Sequence, residues 1–353
     1  MSISVYPWFE QQWSEVLQRR STLPHALLFR GRQGIGKLDF VRKLAQSLVC
    51  ASPAADGAAC DACQSCRWFA GDGHPDYREI QPAAMRAADS LSEGSDSPTS
   101  DQPTSGKRKP SQEIRVEEVR DLGDFINLTA HQGGGKTIVF YPAETLNVSA
   151  ANALLKNLEE PPPGTRFMLV SHRPSYLPAT IISRCQQIVL PTPSAAAAEQ
   201  WLRKQGVAEP ELSLAQTGNA PLAALALDDG EFWGQRKILL GGLATSKLDA
   251  LVLAEQVRDY PVGRLLGWLQ CWTYDMMSAK SAGSVRYNPD FEQALRRLAA
   301  DSRVVDIARY HRALVRQRRS VNHPLNPRLL IEQLLLSYAA LLHGKPPVDS
   351  HAG

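Results

Sequence analysis

Two groups of residues in this sequence are of types and spacings that do chemistry: a glycine-rich loop and a cluster of cysteines. The stretch "GRQGIGKL", residues 31–38, puts Gly34, Gly36 and Lys37 where a phosphate-binding loop needs them. Such a loop works because glycines let successive backbone N–H groups face phosphate oxygens at a helix N-terminus, while a lysine adds charge. The hydroxyl that should follow the lysine and hold magnesium is missing, since Leu38 stands there. A second magnesium-side carboxylate is expected at the end of the next core strand, where "IVFYPAE" offers Tyr141. Without either anchor, the metal that neutralises a transferred phosphoryl group lacks its usual protein ligands, which argues against hydrolysis at this loop. Two readings stay open for Gly34, Gly36 and Lys37. One is a vestigial loop kept for backbone geometry, which is favoured; the other is a site that binds nucleotide without turning it over.

The cysteines are Cys50, Cys60, Cys63, Cys66, Cys185 and Cys271. In "CDACQSC" two residues separate successive sulfurs, so one turn can direct neighbouring thiolates at one ion, and Cys50 supplies a fourth. A bacterial-type iron–sulfur cluster wants a further cysteine four positions on, where Ala70 stands. A structural zinc held by Cys50, Cys60, Cys63 and Cys66 is therefore favoured over a cluster and over free thiols. Four protein ligands leave no position for water, so no reaction is assigned to the metal. Cys185, far from the others in sequence, reads as a small buried hydrophobe.

The elements that must position these groups follow from hydrophobic pattern. "HALLF" (25–29) leads into the glycine loop, and Phe40, Leu44 and Leu48 make one stripe of a helix behind it. "TIVFY" (137–141), "RFMLV" (166–170) and "QIVL" (187–190) read as further buried strands. A helix between them begins at Asn147 or Ser149 as N-cap and stops at Pro161. Strands alternating with helices predict a parallel sheet covered on both faces. Residues 86–112, rich in Ser, Asp, Pro and Gly, read as a flexible insertion. From Ala195 to Gly344 the pattern is helical, and its clearest helix has Asn326 as cap, Pro327 at the first position and Gly344 at the stop.

With 353 residues, 43% hydrophobic and 21% charged, the chain is long enough for two or three globular domains. No run approaches the roughly 18 apolar residues of a membrane span, and the N-terminus has no basic-then-apolar pattern, so a cytoplasmic location without membrane contact is expected. A net charge of +3 does not imply a polyanion partner over the whole surface.

Several stretches together resemble the clamp-loader ATPase group of the AAA+ class: "SAANALLKNLEEPP" (149–162), "SRC" (183–185), the cysteines with "GDGHPDY" (71–77), and the defective glycine loop. The resemblance spans about residue 7 to residue 190, with "NPRLLIEQLLL" (326–336) its main match beyond. It implies an AAA+ RecA-like parallel sheet at 1–191, carrying a zinc module (50–66) and the insertion (86–112). A small helical lid at 192–235 and an all-α collar at 236–345 for oligomerisation would follow. It also implies a place in the bacterial DNA polymerase III holoenzyme, with clamp-loader ATPase subunits and the delta subunit as partners and the sliding clamp and primed DNA reached through the complex. In that group the "SRC" arginine reaches the ATP of the neighbouring subunit, so Arg184 is expected to act as an arginine finger in trans. A guanidinium is permanently charged and can stabilise the transferring phosphoryl group. A nucleotide-sensing arginine of the lid is also absent, because "TGNAPLAAL" (217–225) has Pro221 at that point. These losses match the member of the group expected to lack ATPase activity and serve as a stator. No paired-carboxylate polymerase site is visible, so polymerisation would belong to the holoenzyme.

An active motor ATPase of the same group, and a zinc-dependent nucleic-acid-binding module, are the alternatives. Lesser candidates read as structure. "HQGGGK" (131–136) precedes a strand and reads as a turn, and Ser171 as a strand-end turn with a sensor role as its alternative. "HRALVRQRR" (311–319), with Arg312, Arg316 and Arg319 on one face, reads as a solvated helix face before a DNA contact, and "KRK" (107–109) is assigned nothing.

Overall fold

Among the described residues five segments form strands: β1 (Ala26–Arg30), β2 (Tyr77–Ile80), β3 (Lys136–Phe140), β4 (Thr165–Ser171) and β5 (Gln186–Val189). The buried apolar runs are β1, β3 and β4, whereas β2, "YREI", and β5, expected to be buried, lie at the two edges of the sheet and are part exposed. The computed structural model describes residues 5–92, 110–128, 130–131, 135–227, 230–245, 247–319 and 326–344. The chain divides into two units, Met1–Pro193 and Ser194–Gly353.

In the first unit the strands pair in parallel in the order β2-β3-β4-β1-β5. Helices α1 (Glu10–Gln18), α2 (Lys37–Val49), α3 (Gln64–Ala70), α4 (Ala83–Ser92), α5 (Val116–Arg120), α6 (Leu122–Asn127), α7 (Val148–Glu159) and α8 (Ala179–Ile182) surround them. Successive strand residues face opposite sides, yet Leu27, Leu28 and Phe29 are all 0% exposed, so both faces are covered. On one face Leu28, Phe140, Phe167 and Leu169 pack with Leu154 and Leu158 of α7. Each of those two leucines contributes about 2 kcal/mol by burial. On the other face Phe29 meets Phe40 of α2, ring centroids 6.0 Å apart.

The N-cap of α7 is Asn147, whose side chain accepts the Ala150 N–H at 2.8 Å; Ser149 lies inside the helix. The helix ends at Glu159, ahead of Pro161. One expectation needs correction. Residues 86–92 belong to α4, where Ala, Met, Arg and Leu favour the helix, and Arg86 pairs with Glu118 of α5. Residues 93–109 of the expected insertion, with "KRK", lie outside the described residues.

The second unit is helical: α9 (Ala195–Lys204), α10 (Pro210–Thr217), α11 (Pro221–Leu225), α12 (Gly230–Leu243), α13 (Ala250–Gln256), α14 (Val262–Ala282), α15 (Glu292–Asp301), α16 (Val304–Arg319) and α17 (Pro327–Leu342). Ala198, Leu202, Leu214 and Ala224 form one cluster from α9 to α11. A larger cluster gathers α12 to α17 around Trp272, Tyr310 and Tyr338, with Trp272 Nε1 donating to Tyr338 Oη at 2.8 Å. Asn326 caps α17 by accepting the Arg328 N–H, Pro327 is its first residue, and Gly344 follows its end at φ 66°. The expected fold class, a parallel α/β sheet followed by an all-α region, is what forms.

Candidate functional site

The carboxyl ends of the parallel strands are where such sheets place ligand sites. Register sets Arg30, ending β1, beside Ser171, ending β4, and Phe140 beside Leu169. The glycine loop after β1, the Tyr141–Glu144 turn after β3 and the Ser171–His172 turn after β4 therefore converge.

Gly34 and Gly36 have the positive φ that the loop requires, 77° and 92°. The rest of the loop is occupied by the chain itself. Lys37 is 2% exposed, and its Nζ donates to Arg32 O at 2.5 Å, inside the loop that it would serve. Burial lowers its ammonium to about 8, against the pull of Glu144. Tyr6 lies over Gly36 so closely that a Cβ there would stand 2.3 Å from Tyr6 Cε2. Tyr6 Oη donates to Asp39 Oδ2 at 2.7 Å, Trp8 stacks on Tyr6 with centroids 4.9 Å apart, and Trp8 Nε1 donates to Ile35 O at 2.9 Å. Leu38 supplies no oxygen, and no carboxylate stands at position 141.

Behind Lys37, the Glu144 carboxylate accepts the His172 N–H at 3.0 and 3.2 Å. The His172 ring meets Tyr141 edge-on at 5.3 Å, and both its nitrogens are buried without a hydrogen-bond partner among the described residues. Burial and then the Lys37 charge push His172 down to about 4, though Glu144 pulls the other way. Ser171 Oγ accepts the Arg173 N–H at 3.1 Å, the bond of a turn.

The "SRC" segment follows α8. Arg184 is exposed; its Nη1 donates to Thr180 O at 2.9 Å, and its Nη2 meets Glu159 Oε1 at 2.5 Å. Glu159 is the last residue of α7, so the two signature segments touch through this ion pair. Cys185 is 8% exposed in the core beneath, and burial raises its thiol to about 11.

Cys50, Cys60, Cys63 and Cys66 come together, with all four Sγ within 4.8 Å of one another. Individual separations are 3.6 Å (Cys50–Cys60), 3.8 Å (Cys50–Cys63), 4.0 Å (Cys60–Cys66) and 3.6 Å (Cys50–Cys66). Tetrahedral thiolates about 2.3 Å from zinc would stand about 3.8 Å apart, so the set fits that ion. Backbone N–H groups of Cys60, Cys63 and Cys66 point at the sulfurs of Cys50, Cys60 and Cys63, at 3.4, 3.3 and 3.4 Å. Burial opposes ionisation of Cys63, but N–H donors led by Cys66 outweigh it and bring the thiol down to about 6. Burial raises Cys50, whereas N–H donors of Ala62 and Cys63 lower Cys60. Burial and then the neighbouring thiols raise Cys66 as well, so without a cation the N–H donors favour the thiolates of Cys60 and Cys63 only.

Among the lesser candidates, Gly135 has φ 84° and Lys136 begins β3, while residues 132–134 of "HQGGGK", where the turn is expected, lie outside the described residues. Arg312 and Arg316 are exposed on α16. The side chain of Arg319 lies outside the described residues. Pro221 is the first residue of α11, buried against its neighbours. The sequence reading missed Tyr6, Glu144, Glu159 and His172. A signal existed only for Tyr6, in the aromatic stretch "VYPWF" at residues 5–9.

Comparison with known proteins sets this geometry in a family. The family described as "DNA polymerase III, delta subunit" matches residues 8–194, and "DNA polymerase III, delta subunit, C terminal" matches residues 230–339. The DNA polymerase III subunit delta' of Pseudomonas aeruginosa is 35% identical, covering 96% of this chain and 98% of that protein. The subunit of the same name from Escherichia coli K12 is 30% identical over 68% of this chain and 66% of its own length. A DNA polymerase III gamma subunit-related protein from Thermotoga maritima aligns in structure over 94% of this chain and 99% of its own, at 17% identity and a TM-score of 0.43.

Proposed function

The chain belongs to the delta-prime subunit family of DNA polymerase III, and on that premise we propose that it is the non-hydrolysing stator of the replicative clamp loader. It completes an ATP site in a neighbouring subunit with Arg184 and hydrolyses nothing at its own loop. Clamp-loader ATPase subunits and the delta subunit are its partners, and the sliding clamp and primed DNA are reached through the complex. The lid at 192–235 and the collar at 236–345 are part of this proposal.

The observation that carries it is the self-occupied loop. Lys37 is buried and commits one of its three ammonium donors to Arg32 O, Tyr6 closes over Gly36, and neither magnesium anchor exists. A triphosphate would have to displace each of these contacts and would still find no metal ligand.

Arg184 is the converse case. It is charged at every physiological pH and sits at the surface. Its pair with the half-exposed Glu159 is worth under about 1 kcal/mol, so a triphosphate can take the guanidinium over. In GTPase reactions such a charge, supplied in trans, stabilises the phosphoryl group in the transition state. For the collar, Leu329 and Leu336 are 62% and 46% exposed, seven positions apart on one face of α17, which supports assembly through apolar contact.

Zinc held by Cys50, Cys60, Cys63 and Cys66 belongs to the same proposal. When bound it cross-links the end of α2 to the segment leading into α3, a folding role without reaction chemistry.

The test is nucleotide turnover by the isolated chain with magnesium and DNA present. No turnover is expected alone, and turnover is expected on adding the partner ATPase subunits. Steady hydrolysis by the isolated chain would assign it instead to the motor subunits.

A further inference from the structure

Cys50 ends α2, whereas Cys60, Cys63 and Cys66 lie in the following turn and α3. A tetrahedral site has little tolerance for displacement of one ligand, so the end of α2 must be held in register with α3. Outside the sulfurs, a buried chain of hydrogen bonds does this.

Ser65, next to Cys66, is 0% exposed; its Oγ donates to Val49 O at 2.5 Å, and Val49 precedes Cys50. The same Oγ lies 2.6 Å from Nε2 of His74, itself 3% exposed. The hydroxyl proton is committed to Val49, so Nε2 must carry the hydrogen of that contact. His74 Nδ1 is then bare, and it accepts the Asp76 N–H at 3.0 Å. Both ring nitrogens are thus satisfied in one tautomer.

The chain continues to the sheet. The buried Asp76 carboxylate accepts the His131 N–H at 3.0 Å, and Asp76 O accepts the Thr137 N–H of β3 at 2.9 Å. On the other flank Asp61, between Cys60 and Ala62, accepts from Lys43 Nζ at 3.0 Å and Gln46 Nε2 at 2.9 Å, both on α2.

We propose that Ser65 and His74 are positioning residues of the four-thiolate site: they hold Cys50 against Cys63 and Cys66 and tie the metal module to β3. The inference rests on the zinc reading of the cysteines. Partners behind the ligands of a metal commonly change its affinity by about 10–100-fold when removed.

The test uses the full chain as wild type, Ser65→Ala, His74→Ala and His74→Gln, with Cys60→Ser as the control that removes a ligand. Zinc content and the rate of zinc transfer to a coloured chelator are measured. The absorption of the cobalt(II)-substituted chain reports tetrahedral thiolate geometry. Wild type should hold one zinc per chain. Ser65→Ala and His74→Ala should lose it at least ~10-fold faster and weaken the cobalt bands. His74→Gln, which keeps a donor for Ser65, should recover most of the retention. If His74→Ala fails to fold, Ser65→Ala and His74→Gln carry the test. Wild-type retention and spectrum in Ser65→Ala and His74→Ala would overturn the positioning role while leaving the zinc site standing. A wild-type chain without metal and with four titratable thiols would overturn the zinc reading, and this inference with it.

Discussion

Replacing Gly36 with alanine tests how the glycine loop is filled, and its cost follows from the geometry. At φ 92° an L-residue is strained by about 1–2 kcal/mol. The new Cβ would stand 2.3 Å from Tyr6 Cε2, so the ring must leave. Its departure breaks the 2.7 Å bond to Asp39 and the stack on Trp8, each worth about 1 kcal/mol. Gly36→Ala should therefore cost about 3–4 kcal/mol and Tyr6→Ala about 2 kcal/mol. Because both remove the same ring contacts, the double variant should cost little more than Gly36→Ala alone, a coupling of about 2 kcal/mol. Urea unfolding of the four chains reads this cycle, provided that their m-values agree. Additivity of the two single costs within about 0.5 kcal/mol would refute the claim that Tyr6 closes over the loop.

Three further outcomes are expected. Stripping the metal with a chelator, or Cys63→Ser, should lower the unfolding temperature of the zinc-loaded chain, and restored zinc should recover it only in wild type. His172 has a folded-state pKa of about 4, below its unfolded value of about 6.5, so the unfolded chain takes the proton first. Its contribution is therefore fully present above pH 6.5 and is lost as pH falls towards 4, by about 2 kcal/mol after discounting for partial exposure; unfolding free energies of wild type and His172→Phe between pH 7 and 4 should diverge by that amount. Arg236, 2% exposed, pairs with Asp290 at 2.6 and 2.7 Å and donates to Asn288 at 2.9 Å, so Arg236→Met should destabilise the second unit by about 3 kcal/mol in urea unfolding.

What the sequence made legible was local. Asn147 and Asn326 announce helix starts through short-range caps, Pro161 announces a stop, and Cys60, Cys63 and Cys66 share one turn with Cys50 close behind. Leu38 and Tyr141 were informative as absences, because a phosphate loop has fixed chemical needs at those points. The contacts that give the site its character join residues distant in the chain. Tyr6 reaches Gly36, Glu159 reaches Arg184, and His172 lies near Lys37 only because β4 pairs with β1 in a given register. Hydrophobic periodicity names the strands without fixing that register. The helix over residues 86–92 was missed because the polar stretch after it dominated the composition.

Reconstitution with the partner ATPase subunits, comparing wild type with Arg184→Ala, bears most directly on the claim that this chain lends charge to a neighbour. With assembly intact by size-exclusion chromatography, kcat at the site that Arg184 completes should fall by about 10³-fold or more. Undiminished turnover in a correctly assembled Arg184→Ala complex would contradict it.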